Sequence, residues 1–318
     1  MVFLRVVDLF SGCGGLSLGF QNARFEISAA FDHWKPSVDV YRKNFDHEIF
    51  EVDLVSESRN LDTFSKYEPD MVIGGPPCQD FSHAGKRDEE GGRADLTVTF
   101  ADIVTGVRPK WFVMENVERI IKSKRLDIVR RIFSEAGYGL TMKVLDASLC
   151  GVPQKRKRFF MVGELGGYSD SLLRYLEKNL ADEPMTVRDY MGEKLDVEHY
   201  YRHPRNYSRR AIYSVDEPSM TIRGVNRPVP GGYPGHPGDS VIMNPDIRPL
   251  TTVERSYIQT FPEEFVFEGS KTNMELMIGN AVPVKLAEYV ARCIGEYIND
   301  EPSPETLFDP ASTEKLYG

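Results

Sequence analysis

Cysteine is scarce in this chain of 318 residues, which has only Cys13, Cys78, Cys150 and Cys293. Cysteines this far apart do not make a disulfide framework, and none belongs to a CxxC pair or to a cysteine–histidine cluster with the spacing of metal ligands. The sequence therefore predicts a protein of a reducing cytoplasm, with no structural zinc and no other metal site.

Long apolar runs are absent as well. No stretch of about 18 apolar residues occurs, which is the length that a membrane-spanning helix needs. The amino terminus, Met1–Asp8, is apolar but reaches an acidic residue too soon for a signal peptide. We therefore expect a cytoplasmic protein that neither crosses nor enters a membrane.

An excess of positive charge is also missing, since the formal net charge is -9 at pH 7. This balance argues against a polyanionic partner, but the basic residues are distributed unevenly. They gather at Lys122–Arg131, at Lys155–Arg158 and in a later set of arginines, Arg202, Arg205, Arg209, Arg210, Arg223 and Arg227. Each cluster is either a solvated surface or part of a basic cleft on an acidic body.

The sequence does contain the alternation of predicted strands and helices that is typical of an α/β fold. Short apolar runs alternate with segments that carry apolar residues at helical spacing, such as Leu96–Val107 and Leu126–Ala136. Such segments fit the crossover helices of a parallel sheet. The runs that predict strands are Phe3–Val7, Phe25–Phe31, Glu48–Val52, Met71–Ile73, Trp111–Met114, Met142–Leu145 and Phe159–Val162.

The texture of the sequence changes near residue 193. From there histidine, tyrosine, arginine, proline and glycine dominate with little periodicity, up to Pro228–Gly235. We predict a first domain over residues 1–192 and a second, loop-rich domain over residues 193–265. Residues 266–300 return to the first domain through a helix at Pro283–Tyr297, and residues 301–318 form a tail that is expected to be extended or mobile.

A glycine-rich loop follows the first predicted strand and opens a helix at Leu16. Its sequence over Asp8–Gly15 is DLFSGCGG, and such a loop presents backbone N–H groups to a ligand. Asp32 lies 20 positions past Gly12, the distance at which a carboxylate accepts the hydroxyls of a ribose. Both features indicate a nucleoside-containing ligand, although Ser17 replaces the third glycine of the dinucleotide fingerprint and a tight structural turn is the alternative.

Cys78 stands where a buried strand emerges into a loop, because the run Pro76–Gln79, with the sequence PPCQ, comes directly after Met71–Ile73 and the pair Gly74–Gly75. The prolines and glycines of this loop hold one thiol rigidly and let the backbone come close to a ligand. An inert buried cysteine is the common alternative. Because an inert cysteine needs no such mounting, we interpret Cys78 as a nucleophile.

Glu115 follows the strand Trp111–Met114 as Cys78 follows Met71–Ile73, so both side chains are expected at the same edge of neighbouring strands. Taken alone, a glutamate after a strand is more often a cap or a surface residue. Paired with Cys78, it predicts a nucleophile beside a proton donor, which is the arrangement for covalent catalysis on an electrophilic ring.

Five sequence blocks occur in order along nearly the whole chain. They are Asp8–Gly15, Gly74–Ser82, Glu115–Val117, Gln154–Arg158 and Gly279–Pro283, with the sequences DLFSGCGG, GGPPCQDFS, ENV, QKRKR and GNAVP. In these blocks the chain resembles the cytosine-C5 DNA methyltransferases of the bacterial restriction-modification type. Residues 193–265 fall where that family places its variable target-recognition domain, and Thr221–Ile222 resembles the short signature of that domain.

The resemblance implies the fold of an S-adenosylmethionine-dependent methyltransferase: a Rossmann-like, mostly parallel sheet with helices on both faces, plus a smaller irregular target-recognition domain. It implies S-adenosylmethionine as the cofactor and a cytosine flipped out of double-stranded DNA as the substrate. A restriction endonuclease is the expected functional partner, no metal is required, and the chain is expected to be a monomer.

The resemblance also implies roles for individual residues. Cys78 would add as thiolate to C6 of cytosine while Glu115 contacts N3 and the exocyclic amine. C5 then takes the methyl group, and loss of the C5 proton with elimination of Cys78 releases 5-methylcytosine. Arg156 and Arg158 would support the flipped base and the active-site loop, whose mobile part is expected at Gly85–Asp95.

Two further sets of residues carry implied binding roles. In the cofactor site Asp32 would hold the ribose, and His33 and Asp53 the adenine. The implied cofactor contacts are Phe10, Ser11, Gly12, Gly14, Gly15, Asp32, His33, Asp53, Pro76, Asn280 and Val282. The implied DNA contacts are Ser82, Arg93, Thr221, Arg223 and Arg227.

Several positions depart from the family pattern. Asp32 stands where glutamate is usual, which shortens the reach to the ribose, and Asp80 stands where proline usually follows the Cys–Gln pair. Val253 and Tyr257 occupy positions often held by arginine, a loss of charge that is expected to loosen the domain interface or the DNA contacts. Met277 replaces a common glutamine. None of these changes removes a chemical role.

Three alternative functions are compatible with parts of this sequence. A transfer-RNA methyltransferase would keep the chemistry, but residues 193–265 are long enough to read duplex DNA. A non-catalytic DNA-binding relative would be expected to lack Cys78 or Glu115. A nicotinamide-dependent oxidoreductase is supported only by the glycine-rich loop and leaves Cys78 unexplained. The recognition sequence itself depends on which side chains reach the major groove.

Overall fold

The computed structural model describes residues 4–77, 95–204, 206 and 208–300. Its strands are β1 (Arg5–Leu9), β2 (Glu26–Asp32), β3 (Glu48–Glu51), β4 (Met71–Gly74), β5 (Trp111–Val117), β6 (Tyr138–Asp146), β7 (Gln154–Lys155), β8 (Lys157–Leu165), β9 (His199–Tyr201), β10 (Ile212–Ser214), β11 (Ser219–Met220) and β12 (Arg248–Pro249).

The helices are α1 (Gly15–Asn22), α2 (Lys35–Asn44), α3 (Leu54–Glu57), α4 (Asp62–Ser65), α5 (Leu96–Val107), α6 (Lys124–Glu135), α7 (Leu173–Lys178), α8 (Val187–Met191), α9 (Thr252–Ile258), α10 (Lys271–Asn280) and α11 (Val284–Asp300). Short 3-10 turns follow β5, β6 and α8. Among the described residues, no helix has both the length and the apolar character needed to span a bilayer.

Seven strands form the main sheet, in the order β3-β2-β1-β4-β5-β8-β6. β8 runs antiparallel to β5 and β6, and the other neighbours pair in parallel. The chain moves outward from β1 to β3, and β4 then returns to the other side of β1, so the strand order reverses between β1 and β4. In doubly wound folds, ligands bind at this reversal, outside the carboxyl ends of the strands.

Helices cover both faces of this sheet because its central strands are apolar on both sides. In β4 all four residues are buried. On one face α1 and α11 share a core with Val6 and Met71. On the other face α5 and α6 share a core with Val7 and Val72. Neighbouring residues of one strand thus enter opposite cores, as the two-residue period of a strand requires.

The α/β class and the mostly parallel sheet with helices on both faces are confirmed. Each of the seven predicted strands overlaps a strand of the main sheet, but β6 and β8 are longer than predicted, at nine residues each. β6 begins earlier than its predicted apolar run because Gly139 and Thr141 interrupt the apolar pattern. A Cβ on Gly139 would lie 2.4 Å from the carbonyl oxygen of Gly167, so glycine permits a close backbone approach there.

The strands within residues 193–265 are short, as the irregular texture of this region indicates. Strands β9, β10 and β12 form a small sheet in the order β10-β9-β12. β11 pairs in parallel with β7, with Ser219 opposite Gln154, and this pairing attaches the region to the larger part of the molecule. The two parts also share a hydrophobic core that contains Tyr41, Ile222 and Phe261. The domain boundaries stay a prediction.

Candidate active site

A cavity of about 370 Å³ opens at the reversal between β1 and β4, within the size range of small-molecule sites. The loop after β1 forms one wall, and the loop after β4 together with the end of β5 forms another. The end of α10 and the residues after it close the cavity. The lining residues are Phe10, Ser11, Gly12, Cys13, Gly15, Leu16, Asp32, His33, Trp34, Ser37, Gly75, Pro77, Glu115, Leu276, Met277, Asn280, Ala281 and Val282.

The loop after β1 turns tightly before α1 begins. Phe10, Gly12 and Gly14 all have positive φ angles, of 58°, 58° and 96°, a conformation that glycine adopts without strain but phenylalanine rarely does. A Cβ on Gly15 would lie 2.3 Å from the carbonyl oxygen of Val282. Glycine at position 15 therefore allows the segment after α10 to close against this loop.

Asp32, at the end of β2, fixes the shape of the loop. Its carboxylate accepts hydrogen bonds from the N–H of Gly12 at 2.9 Å and from the N–H of Trp34 at 2.8 Å. The side chain is mostly buried and lines the cavity. Each carboxylate oxygen can accept a further hydrogen bond, so the predicted contact with ribose hydroxyls requires no break in the loop.

Most of the predicted cofactor contacts lie together at this cavity. They are Phe10, Ser11, Gly12, Gly15, Asp32, His33, Asn280 and Val282. Gly14 and Asp53 do not line it. Gly14 lies behind the loop, where a Cβ would be 2.4 Å from the ring of Phe45. Asp53 is exposed and caps α3, with its carboxylate accepting a hydrogen bond from the N–H of Val55 at 3.0 Å.

Pro76 also does not line the cavity, because it is buried and its backbone carbonyl accepts a hydrogen bond from Asn116 Nδ2 at 2.9 Å. The next residue, Pro77, forms part of the wall instead. Asn116 thus fixes the loop after β4 to the end of β5. Cys78 follows Pro77 in the chain and lies outside the described residues, as do Asp80, Ser82, Arg93 and the predicted mobile loop except its last residue, Asp95.

Glu115, near the end of β5, is a buried acidic group of the cavity wall. It is 8% exposed, and burial raises its pKa, while the positive charges of Arg158 and Arg156 act in the opposite direction. The Nε atom of Arg158 lies 2.9 Å from Glu115 Oε1. The site therefore contains a carboxyl group that holds its proton to a higher pH than an exposed glutamate, held in place by a cation.

Arg156, which the resemblance implies to support the flipped base and the active-site loop, contacts backbone carbonyls in the structure. Lys155 and Lys157 are exposed, whereas Arg156 is 1% exposed, because alternate residues of an extended chain point in opposite directions. Its guanidinium donates hydrogen bonds to the carbonyls of Ile222 at 3.1 Å, Gly279 at 3.1 Å and Ala281 at 3.0 Å. Arg156 thus joins residues 219–224 to the segment that closes the cavity, and it acts on Glu115 only through its charge.

The predicted DNA contacts that the structure describes differ in what they touch. Thr221 Oγ1 donates a hydrogen bond to the carbonyl of Lys155 at 2.8 Å. Arg223 is partly buried and donates from Nη2 to the carbonyl of His203 at 2.6 Å. Arg227 is exposed. Thr221 and Arg223 therefore make backbone contacts that shape their region, while Arg227 presents its side chain to solvent.

A buried polar network lies behind the cavity, and its two glutamines, Gln154 and Gln259, are not among the site residues predicted from the sequence. Gln154 Nε2 donates to Gln259 Oε1 at 2.7 Å, and Gln154 Oε1 accepts from the N–H of Ile222 at 2.8 Å. Gln259 Nε2 in turn donates to the carbonyls of Ile278 and Ala281. Gln154 was visible in one of the sequence blocks, but its partner more than 100 residues away is not deducible from that block.

Metal ligands do not cluster in the part of the chain that the structure describes. No group of three or more histidine, cysteine, aspartate or glutamate side chains in it has an arrangement that could hold a metal ion. The chemistry that the described residues offer is that of a buried acid, two arginines and a cavity with an acidic and an apolar wall.

Comparison with known proteins gives one consistent result. The family model described as C-5 cytosine-specific DNA methylase matches residues 4–296. Type II methyltransferase M.HindV of Haemophilus influenzae is 57% identical over 302 residues, which cover 95% of this chain and 98% of the relative. Type II methyltransferase M.HgiDI of Herpetosiphon aurantiacus is 53% identical over 296 residues, which cover 93% of this chain and 96% of the relative.

Solved structures share the fold at lower sequence identity. A putative DNA modification methyltransferase encoded within a prophage of E. coli has a TM-score of 0.67 at 22% identity, and the match covers 93% of this chain and 100% of that chain. The S. pombe Dnmt2 methyltransferase has a TM-score of 0.66 at 19% identity, over 93% of this chain and 99% of that chain.

Proposed function

The chain belongs to the C-5 cytosine-specific DNA methylase family, and from this we propose how its cavity brings a methyl donor and a flipped-out cytosine together. The protein is a DNA cytosine-C5 methyltransferase. The observation that carries the proposal is the position of Glu115. This buried acid shares one cavity with the glycine-rich loop after β1 and with Pro77, the residue that precedes Cys78.

In the proposed mechanism Cys78 and Glu115 act on different atoms of the cytosine ring. The Cys78 thiolate adds to C6, and Glu115 donates its proton to N3, which accepts the electron pair that the addition displaces. C5 then becomes nucleophilic and would take the methyl group from the sulfur of the donor, which keeps the electron pair of the broken bond. Loss of the C5 proton to a base and departure of Cys78 as thiolate restore the C5–C6 double bond, and N3 returns its proton to Glu115, so both side chains regain their starting states.

The surroundings of Glu115 suit this role. Burial raises its pKa, so a larger fraction carries a proton at neutral pH than in an exposed glutamate. Arg158 Nε lies 2.9 Å from one of its two oxygens, Oε1. We propose that Arg158 orients the carboxyl group and that the other oxygen, Oε2, faces the base.

We propose S-adenosylmethionine as the methyl donor, and the cavity of about 370 Å³ lies within the size range of small-molecule sites. A Cβ on Gly15 would fill part of the space between the loop after β1 and Val282, and Asp32 lines the cavity with a carboxylate whose oxygens can each accept a further hydrogen bond. We place the ribose at Asp32 and the adenine at His33 and Trp34. The donor supplies a methyl group made electrophilic by its positively charged sulfur.

Asp32→Ala is expected to raise the Michaelis constant for S-adenosylmethionine by about 10- to 100-fold, with a smaller change in kcat. The substitution removes the acceptor for the ribose and the hydrogen bonds to Gly12 and Trp34, each worth roughly 0.5 to 3 kcal/mol. Steady-state methylation of plasmid DNA at varied donor concentration measures both constants. An equal loss in kcat and in donor affinity would contradict the assignment.

Asp53→Ala is the matched control, because the structure places this carboxylate on the cap of α3 and not in the cavity. Loss of a helix cap is expected to cost about 1 kcal/mol of folding stability, with no change in the Michaelis constant for the donor. A rise in that constant as large as that of Asp32→Ala would instead support the adenine contact that the family resemblance implies for Asp53.

Residues 193–265 are proposed as the target-recognition region, and Arg227 as a reader of guanine. An exposed arginine can donate two hydrogen bonds to the major-groove edge of guanine, a contact worth about 1 to 3 kcal/mol of discrimination. Arg223 is placed differently, because its contact with the carbonyl of His203 commits it to the local backbone. We therefore propose base reading for Arg227 and a supporting role for Arg223.

Arg227→Ala is expected to relax one position of the recognition sequence. A lost base contact changes the preference at that position alone, whereas a lost phosphate contact weakens binding to all sequences alike and flattens the salt dependence. Methylation of a set of duplexes with single base-pair changes distinguishes the two outcomes. If Arg227→Ala lowers affinity uniformly and keeps the methylated sequence, Arg227 contacts phosphate and the assignment is wrong.

A direct test of the proposed function is bisulfite sequencing of plasmid DNA from cells that express the chain. Conversion-resistant cytosines in one short duplex sequence are expected, and their absence, or methylation of transfer RNA instead, would contradict the proposal. The relatives are called Type II methyltransferases, and we propose by analogy that the chain acts as a monomer in the cytoplasm beside a restriction endonuclease that cuts the same sequence.

A further inference from the structure

A buried ion pair contacts residues Ile222–Arg227, which include the proposed base reader Arg227 and are called the specificity segment below. The pair joins Arg255 in α9 to Glu275 in α10, and the two side chains are 5% and 4% exposed. Arg255 lies between Val253 and Tyr257, the two positions at which the sequence lacks the arginines common in the family. Val253 is 54% exposed. The positive charge of α9 is therefore placed on its inner side, facing α10.

Both members of the pair also bind the specificity segment. Arg255 donates from Nη2 to the carbonyl of Arg223. Glu275 Oε1 accepts from Asn226 Nδ2 at 3.2 Å and from Thr252 Oγ1 at 2.8 Å. The same Asn226 amide donates to the carbonyl of Leu250 at 2.8 Å. The pair thus holds the segment at two points, one on either side of Gly224, and Arg227 follows the second point directly.

The segment has little freedom to move relative to α10. A Cβ on Gly279 would lie 2.2 Å from the backbone nitrogen of Gly224, and a Cβ on Gly224 would lie 2.7 Å from Leu276 Cδ1. Backbone packs directly on backbone at this place. A change in the position of Arg255 or Glu275 is therefore transmitted to the segment without a flexible side chain to absorb it.

We propose that the Arg255–Glu275 pair is a positioning device for sequence discrimination: it fixes the specificity segment so that Arg227 meets one base pair of the target. The inference rests on the proposed function, since it assumes that this segment reads DNA. A buried ion pair adds little stability compared with apolar residues of similar size, because desolvation offsets the attraction. We therefore expect the pair to fix the position of the specificity segment and to add little to the stability of the fold. Its effects on folding stability and on sequence discrimination can then be measured separately.

A double variant distinguishes an effect on folding stability from an effect on sequence discrimination. The double variant Arg255→Met/Glu275→Met keeps an apolar, filled interface but removes the hydrogen bonds that the pair makes to Arg223 and Asn226. We expect its melting temperature to stay close to that of the parent, while the ratio of kcat/KM for the cognate duplex to that for duplexes with one base pair changed falls on the order of tenfold. The KM for cognate DNA is expected to rise more than kcat falls.

Asn226→Ala tests the same idea with a milder change, since it leaves the ion pair intact and removes only the contact of the segment with Glu275 and Leu250. It is expected to lower discrimination in the same direction. Glu288→Gln is the control, because Glu288 is another buried carboxylate paired with an arginine, Arg292, on the remote helix α11. The control is expected to change stability only.

All variants are assayed with tritiated S-adenosylmethionine on duplexes that carry the sequence found by bisulfite sequencing of the parent. If the double variant and Asn226→Ala both discriminate between duplexes as well as the parent does, the pair is merely structural and the inference is overturned. A parent that methylates no duplex, or methylates without sequence preference, would instead overturn the proposed function, and the inference with it.

Discussion

Cys78→Ser is expected to lower the rate of methyl transfer by more than about a thousandfold, because a serine hydroxyl is far less ionised than a thiol near neutral pH. The other cysteines cannot replace it. Cys13, Cys150 and Cys293 are buried, and burial raises the pKa of each thiol, to about 12 for Cys13 and Cys293. Initial rates with tritiated donor measure the loss, and binding of DNA and donor should survive.

A covalent adduct provides the second measurement for Cys78. A duplex with 5-fluorocytosine at the target is expected to trap the enzyme in a complex that resists denaturation, since fluorine cannot leave C5 as a cation. Cys293→Ser is a suitable control, because Cys293 Sγ donates to the carbonyl of Tyr175 and a hydroxyl can do the same. The control should form the adduct and Cys78→Ser should not. A peptide map that places the adduct on any other residue would exclude Cys78 as the nucleophile.

The sheet could be predicted from the sequence because its strands are buried on both faces. A strand such as β4 has no polar residue among its four, so it appears as a continuous apolar run between turn residues. The position of the cavity followed from the same pattern, since the loops after β1 and β4 both carry glycines at strand ends. The start of β6 was missed because Gly139 and Thr141 interrupt the apolar pattern of an edge strand that still pairs with β8.

The contacts behind the cavity could not be predicted. Arg156 was assigned to the flipped base because of its sequence block, yet its hydrogen bonds reach carbonyls 66 to 125 residues away. The inward direction of Arg255 and its pairing with Glu275 likewise depend on how α9 packs against α10. The loss of arginine at positions 253 and 257 is expected to loosen the domain interface or the DNA contacts, and this stays a prediction. The structure places a buried arginine, Arg255, between the two positions. Backbone carbonyls carry no sequence signal, so residues that bind them are found only in three dimensions.

Glu115→Gln is expected to slow methyl transfer by two to four orders of magnitude, about the range for a positioned acid or base. An amide can still accept and donate hydrogen bonds at the cavity wall, but it cannot give a proton to N3 of cytosine. Fold and donor affinity should be kept. Glu164→Gln is the matched control, since Glu164 is also buried and paired with a cation, Lys110, but lies outside the cavity lining. The control should methylate DNA at nearly the parent rate.

The pH dependence of the rate identifies the proton. Burial raises the pKa of Glu115, so its protonated form persists to a higher pH than in an exposed glutamate, and the rate is expected to fall as pH rises through that raised pKa. Glu115→Gln has no such proton and should lose this alkaline decline. Arg158→Met removes a charge that lowers the pKa of Glu115, so the decline should move to higher pH. If all three proteins show the same alkaline decline, the proton that activates cytosine does not come from Glu115.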